Sequence, residues 1–127
     1  MLLFFQAKLF AEIRYVDFKY VLNESKAGKE AQIYLKKKLD NGIKDLKAKE
    51  KSIQEEEKKI IQQKKVISAE EYKKQVKALR EKVSSLQTQR NNLLDTVAKQ
   101  RSKARAELLK TLNPIIKNYM KENTVRL

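Results

Sequence analysis

The stretch that decides the fold runs from Leu39 to Ile67 and reads LDNGIKDLKAKEKSIQEEEKKIIQQKKVI. An apolar residue recurs in it at strict intervals of seven, at Leu39, Leu46, Ile53, Ile60 and Ile67. A seven-residue repeat is typical of a helix that packs along a second helix. We assign the companion seam position to the residues four further on, which are Ile43, Glu50, Glu57 and Lys64. The first helix therefore has a thin apolar stripe.

A second and richer stripe follows. Its members are spaced alternately by four and three residues, and they are Tyr72, Val76, Leu79, Val83, Leu86, Arg90, Leu93, Val97, Gln100 and Ala104. Two of them, Arg90 and Gln100, are polar and interrupt the seam. The shifted frame continues through Leu108, Leu112 and Ile115. Both stripes therefore require a helical partner.

The boundary between the two stripes carries a helix-start signal. Ser68 is followed three residues later by Glu71, which is the spacing of a capping box. If the chain reverses here, apolar residues of the two stripes face each other, with Ile60 near Val76, Ile53 near Val83 and Leu39 near Val97. Leu46 is then near Arg90. The sequence predicts an antiparallel helical hairpin. The alternative is one continuous helix in an intermolecular coiled coil, because no Gly or Pro marks the turn.

The predicted fold class is mainly α with a small β element. A long hairpin extends from a small β head that is incomplete at its C-terminal end. The Asp40-Asn41-Gly42 segment is interpreted as a flexible mid-helix glycine, because the apolar repeat runs through it. The predicted parts are a signal-peptide remnant in 1–11, a head strand in 12–19, a first arm in 20–67, a second arm in 68–120 that kinks or restarts near Pro114, and a loop with the start of a returning strand in 121–127. An apolar lead-in that packs on the domain is the alternative for 1–11.

Composition excludes several kinds of protein. The chain has 127 residues and a net charge of +14, with no Cys, no His, one Pro and two Gly. Scarce turn residues argue against a many-stranded sandwich or barrel, and the lack of Cys excludes a disulfide framework. The carboxylate run Glu55 to Glu57 fits a salt-bridged helix face better than an acid/base site. We therefore predict a protein that is not an enzyme and has no cofactor or metal.

The order of parts resembles the Skp/OmpH family of periplasmic chaperones. The similarity rests on the strand Ile13 to Asp17, the segment Asn23 to Lys29, the basic hairpin, Asn113-Pro114-Ile115 and a returning strand at Val125. The resemblance implies a periplasmic homotrimer that acts without ATP. Three tentacle-like hairpins would surround a cavity that holds unfolded outer-membrane proteins. The family continues beyond the position of Leu127 with further strand and a last helix, so the expected head is incomplete.

The basic residues are the candidate functional residues. A tip patch for client or anionic lipid comprises Lys58, Lys59, Lys64, Lys65, Lys73, Lys74 and Lys77. An arm patch comprises Arg90, Lys99, Arg101, Lys103 and Arg105. Client retention is assigned to scattered apolar groups such as Tyr34, Val66 and Val76, and head assembly to Ile13, Tyr15, Val16 and Val125. A surface of this charge attracts anionic lipid, lipopolysaccharide or acidic unfolded chains.

Two other functions remain compatible with the sequence. A basic helical protein can bind nucleic acid without sequence preference, although aromatic stacking residues are sparse on these arms. A structural coiled-coil spacer without a client is the second alternative. The continuation of the chain would discriminate between them, because further heptads favour a spacer.

Overall fold

The computed structural model describes residues 12–126 and contains three helices and two short strands. The order is β1 (Glu12–Ile13), α1 (Phe18–Glu24), α2 (Lys26–Gln63), α3 (Ala69–Asn123) and β2 (Val125–Arg126). The chain divides into two compact units, residues 30–102 and the two end segments up to 29 and from 103. The predicted signal-peptide remnant at 1–11 lies outside the described residues.

Residues 30–102 form an antiparallel helical hairpin. Lys82 of α3 donates to both carboxylate oxygens of Glu56 in α2, at 2.8 and 2.7 Å. Farther from the turn, Arg90 lies 3.8 Å from Glu50. The residue numbers of the paired side chains fall in α2 as they rise in α3, so the two helices are antiparallel and the chain reverses between them. The structure thus contains the hairpin and not the continuous helix.

The hairpin core is a single thin seam. Its buried side chains are Leu35, Leu46, Ile60, Leu86 and Val97, so each helix supplies apolar residues to the seam. This seam confirms the stripe that contains Leu46 and Ile60. Val83 departs from the prediction, because half of its surface is exposed.

The companion position on α2 differs from our assignment. Ile43 is 38% exposed, whereas Gly42 faces Leu93 so closely that a Cβ atom built on it would lie 2.6 Å from both Leu93 methyl carbons. The seam therefore uses the residues three positions after each apolar repeat, which are Gly42, Lys49 and Glu56. The apolar residue of a heptad can occupy either seam position, and its repeat alone does not distinguish them.

The hairpin turn ends α2 with backbone hydrogen bonds. The amides of Val66 and Ile67 both donate to the Gln63 carbonyl, at 2.9 and 3.1 Å. Ser68 Oγ then accepts from the Glu71 amide at 3.2 Å, which makes Ser68 the N-cap of α3. The helix start predicted from the Ser68 and Glu71 spacing is confirmed.

The end segments carry the two strands, which pair in parallel. Glu12 is opposite Val125 and Ile13 is opposite Arg126. The head strand expected over 12–19 is therefore shorter than predicted, because Asp17 Oδ1 accepts from the Tyr20 amide at 3.0 Å and starts α1. Among residues 12–126 this pair is the whole of the β structure, and it is far smaller than a β-rich head.

Two further features of the end segments follow from local chemistry. Ser25 ends α1 and starts α2, since its amide donates to Val21 O and its Oγ accepts from the Gly28 amide at 3.0 Å. At the other end, α3 runs through Pro114 without restarting, so of the two outcomes predicted near Pro114, a kink or a restart, the restart does not occur. Pro114 is exposed, and water can bind the carbonyl that loses its helical partner.

Candidate functional site

The tip of the hairpin presents both charge and apolar surface. All seven side chains of the predicted tip patch are exposed, two at the end of α2, two in the turn and three at the start of α3. Lys64 stacks its ammonium 5.7 Å from the centre of the Tyr72 ring, which joins the end of α2 to the first turn of α3. Val66 is 83% exposed and Ile61 is 59% exposed. The tip therefore offers several cations beside two aliphatic groups.

The predicted arm patch does not behave as one cluster. Arg90 faces Glu50 across the hairpin. Lys99 forms an ion pair with Asp95 of the same helix at 2.8 Å. Arg101 is exposed in the same unit, whereas Lys103 and Arg105 are exposed residues of the end segments. All five residues lie on α3, with Arg90, Lys99 and Arg101 in the hairpin unit and Lys103 and Arg105 in the unit formed by the end segments.

The Lys99 ammonium has a raised pKa because of a neighbour on the same helix. Asp95 accepts its hydrogen bond and attracts its charge, and both effects raise the pKa of the Lys99 ammonium above its ordinary value. Both side chains are largely exposed, so this ion pair lies at the protein surface.

The acidic run Glu55 to Glu57 has a different role from the one predicted. We expected pairs within α2, with lysines three or four residues away. Instead Glu56 lies on the seam side and binds Lys82 of α3. A salt bridge between exposed helices contributes about 0–1 kcal/mol, so this contact fixes the register of the two helices more than it stabilises them. Within the described residues, no group of carboxylates is arranged to hold a metal ion.

The retention residues predicted from sequence are only partly accessible. Tyr34 is 62% exposed and Val66 is almost fully exposed, but Val76 is half-buried in the seam. Sequence reasoning missed three accessible apolar side chains, Ile33, Ile61 and Leu94, each more than half exposed. They lie off the seven-residue stripes, so a search for seam positions passed over them.

The residues assigned to head assembly lie where the chain ends meet. Ile13 and Val125 belong to the paired strands, and Val16 is half-buried. Tyr15 is 92% exposed. Its neighbour Arg14 donates a hydrogen bond to the hydroxyl of Tyr119 and lies 5.8 Å from the centre of that ring. Tyr20, Ile115 and Tyr119 are also largely exposed, which leaves an aromatic surface on this unit.

A comparison with models of protein families finds one match. The family model described as outer membrane protein (OmpH-like) matches residues 12–127. The chain belongs to the OmpH-like family. Members of this family are periplasmic chaperones of outer-membrane proteins and not enzymes. Searches of curated proteins and of solved structures returned no match.

The family match extends over all the elements of the described fold. The OmpH-like match covers both strands and all three helices, so it includes the hairpin and the end segments alike. Within residues 12–126, no helix has the length and hydropathy needed to cross a bilayer.

Proposed function

We propose that this chain is an ATP-independent periplasmic holdase that binds unfolded outer-membrane proteins and prevents their aggregation. The observation that carries the proposal is the accessibility of apolar side chains along a basic hairpin of an OmpH-like protein. Val66, Leu94 and Val83 are each half or more exposed. Such groups bind an unfolded chain by many weak and exchangeable contacts.

Charge supplies the encounter step. The protein carries a net charge of +14, and the exposed tip patch concentrates part of it at the turn of the hairpin. Positive surfaces accelerate the capture of acidic segments, and salt screens the attraction over about 10 Å at 0.1 M. Capture by this hairpin should therefore slow as salt is added, while retention by apolar contacts should persist.

The functional form is a homotrimer assembled through the end segments. Two residues per strand form too small a sheet to be stable alone. Tyr15, Tyr20, Tyr119 and Ile115 each leave apolar surface accessible on this unit, and copies of a chain can bury such groups between them. Sedimentation should give three times the mass of one chain, and a mass of one or two chains would contradict this assembly.

A light-scattering assay tests the holdase directly. A denatured outer-membrane β-barrel protein is diluted into buffer with a molar excess of the chain, and we expect scattering to be suppressed. The test variant replaces the exposed Val66, Val83 and Leu94 by Ser. Its matched control replaces the exposed polar residues Gln62, Thr88 and Asn92 by Ser, which leaves the apolar surface unchanged.

The two variants should differ in how well they suppress aggregation. The apolar variant should need several times more protein for the same suppression, while the polar control should match the parent chain. Equal suppression by both variants would show that these apolar groups do not retain clients. No suppression by the parent chain at any excess would contradict the holdase itself.

A further inference from the structure

The two sides of the hairpin expose different side chains. Gly42 of α2 lies directly against Leu93 of α3, so these two residues mark the direction in which each helix faces the other. The next residue along a helix is turned by about 100°, and in antiparallel helices the turns from a contacting pair lead to the same side. Ile43 and Leu94 therefore lie on one side of the hairpin.

An ion pair across the helices agrees with this assignment. Glu50 lies seven residues after Ile43, which is nearly two full turns, and so on the same side of α2. Arg90 lies four residues before Leu94 and so on the same side of α3. The side chains of Glu50 and Arg90 are 3.8 Å apart, as two groups on one side of the hairpin can be. Val83 lies seven residues before Arg90 and adds an exposed aliphatic group to this side.

The other side of the seam is bridged by polar contacts. Lys49 Nζ donates a hydrogen bond to Gln89 Oε1 across the helices. Lys49 precedes Glu50 and Gln89 precedes Arg90, so the same 100° turn places this contact on the opposite side from Glu50 and Arg90. The hairpin therefore has one side that its own polar side chains bridge and one side that leaves aliphatic groups accessible.

The arginines of the hairpin all lie on the side with the accessible aliphatic groups. Residues 30–102 contain three arginines, at positions 80, 90 and 101, and all three are exposed. Arg101 lies seven residues after Leu94, which places it on the side of Leu94. Arg80 lies three residues before Val83, which makes these two residues neighbours on the helix surface. We call this surface the arginine face, and it consists of Arg80, Val83, Arg90, Leu94 and Arg101.

Arginine determines which groups this face can bind. The guanidinium group is planar, is less strongly hydrated than an ammonium group and stacks on aromatic rings. Arg80 has Val83 three residues further on, and Arg90 has Leu94 four residues further on, so each arginine has an aliphatic neighbour. A ring that stacks on either guanidinium can contact that aliphatic side chain as well. The two pairs are about 16 Å apart along α3.

The contact with Glu50 leaves Arg90 able to stack. A carboxylate binds the edge of a guanidinium group, where the N–H groups point, whereas an aromatic ring binds its flat face. Both side chains of this pair are about half exposed. Glu50 therefore orients the Arg90 guanidinium and does not cover it.

We propose that the arginine face binds aromatic residues of unfolded outer-membrane proteins. The inference rests on the proposed holdase function and names the client groups that one side of the hairpin recognises. Outer-membrane β-barrels carry girdles of aromatic residues at both edges of their apolar band. In the unfolded chain these rings are accessible beside apolar residues, which is the combination that an arginine with an aliphatic neighbour fits. The client is held by its girdle segments.

Peptide binding to the full chain tests this face. The first peptide is labelled with fluorescein, alternates apolar and polar residues, has no net charge and carries two Trp residues. The second peptide has Leu in place of both Trp residues. Fluorescence anisotropy gives the two affinities. Because the chain contains no Trp, the Trp emission of an unlabelled first peptide also reports whether its rings are buried on binding.

Two variants with the net charge of the parent chain isolate the arginines. The face variant is Arg80→Lys, Arg90→Lys and Arg101→Lys, which keeps charge and helix propensity and removes the planar groups. The relocated variant adds Lys37→Arg, Lys44→Arg and Lys51→Arg to these changes. These three lysines are exposed on α2 and lie on its side away from α3, so the number of arginines is restored on another surface. Far-UV circular dichroism checks that both variants keep their helix.

The parent chain should prefer the Trp peptide by about fivefold, since each ring stacked on an exposed cation contributes a factor of about two to five. The preference should fall below about twofold in both variants, while their affinity for the Leu peptide should equal that of the parent. A parent chain without the preference would overturn the proposal. So would a face variant that keeps it, or a relocated variant that regains it.

A third peptide separates ring stacking from the recognition of carboxylates, which arginine also binds. It has Glu in place of both Trp residues. The parent chain should bind it less tightly than the Trp peptide at 0.15 M salt, where exposed charges are screened beyond about 8 Å. Tighter binding of the Glu peptide that is lost in the face variant would overturn the aromatic client in favour of an acidic one.

The light-scattering assay separates this face from the proposed holdase. A parent chain that suppresses aggregation but does not prefer the Trp peptide overturns only the arginine face. A parent chain that prefers the Trp peptide but does not suppress aggregation overturns only the holdase.

Discussion

Replacing Gly42 by Ala tests the seam of the hairpin, because two effects of opposite sign meet there. An alanine in a helix interior is more favourable than a glycine by about 1 kcal/mol. Judged as an isolated helix, α2 should therefore gain stability and stiffen. The structure places Leu93 over Gly42, with the new Cβ 2.6 Å from both methyl carbons and 3.1 Å from Cγ.

The steric effect should exceed the helix propensity. Contact with Cγ as well as both methyl groups cannot be relieved by turning the end of the Leu93 side chain, so the whole side chain must leave its place. Overpacking of this kind costs about 1–3 kcal/mol. After the gain in propensity, we expect Gly42→Ala to destabilise the hairpin by about 1 kcal/mol, which lowers Tm by about 4 °C.

The assay is thermal and urea unfolding followed by circular dichroism at one fixed protein concentration, since assembly makes stability concentration-dependent. Two further variants measure the helix-propensity effect and the packing effect separately. Ala48→Gly, at an exposed position of α2, measures propensity alone and should cost about 1 kcal/mol. In a Leu93→Ala background the clash is gone, so Gly42→Ala should become stabilising by about 1 kcal/mol. Stabilisation in both backgrounds would refute the packing argument.

Three other substitutions test the backbone. Gly28→Ala should destabilise the chain by about 3 kcal/mol, because its Cβ would lie 1.5 Å from the Leu22 carbonyl oxygen; an unchanged urea midpoint would contradict this close approach. Ser68→Ala should cost about 1 kcal/mol by leaving the Glu71 amide without its cap, whereas Ser68→Asp should unfold at the parent temperature, and equal Tm values for all three chains would exclude capping. Thr124→Gly should raise stability by about 1 kcal/mol in the same assay, since Thr124 holds φ at 52° after the end of α3, and a lower Tm would exclude strain there.

The sequence predicted the hairpin well because its signals are local and repeated. The apolar heptads of both helices and the Ser68 cap each depend on residues a few positions apart. What the repeat did not determine is the frame of α2, since Ile43 and Gly42 are both sterically acceptable beside an apolar seam. Only the packing of Leu93 decides between them. Chain reversal at a turn without Gly or Pro is possible because the Gln63 carbonyl accepts from two following amides.

The ends of the chain were harder to predict. Residues 14–17 are rich in strand-forming types, but Asp17 starts a helix, and local capping outweighs a weak β propensity in so short a segment. Pro114 is accommodated within α3 because it is exposed.

The distribution of ion pairs changes what the net charge of +14 means. Two lysines of α3 have partners, Glu56 of α2 for Lys82 and Asp95 of the same helix for Lys99, so their charge sets helix register or is neutralised locally. Lysines on the side of α2 that faces away from α3 have no such partner among the described residues. The exposed lysines without a carboxylate partner therefore supply the part of the net charge that a client can reach.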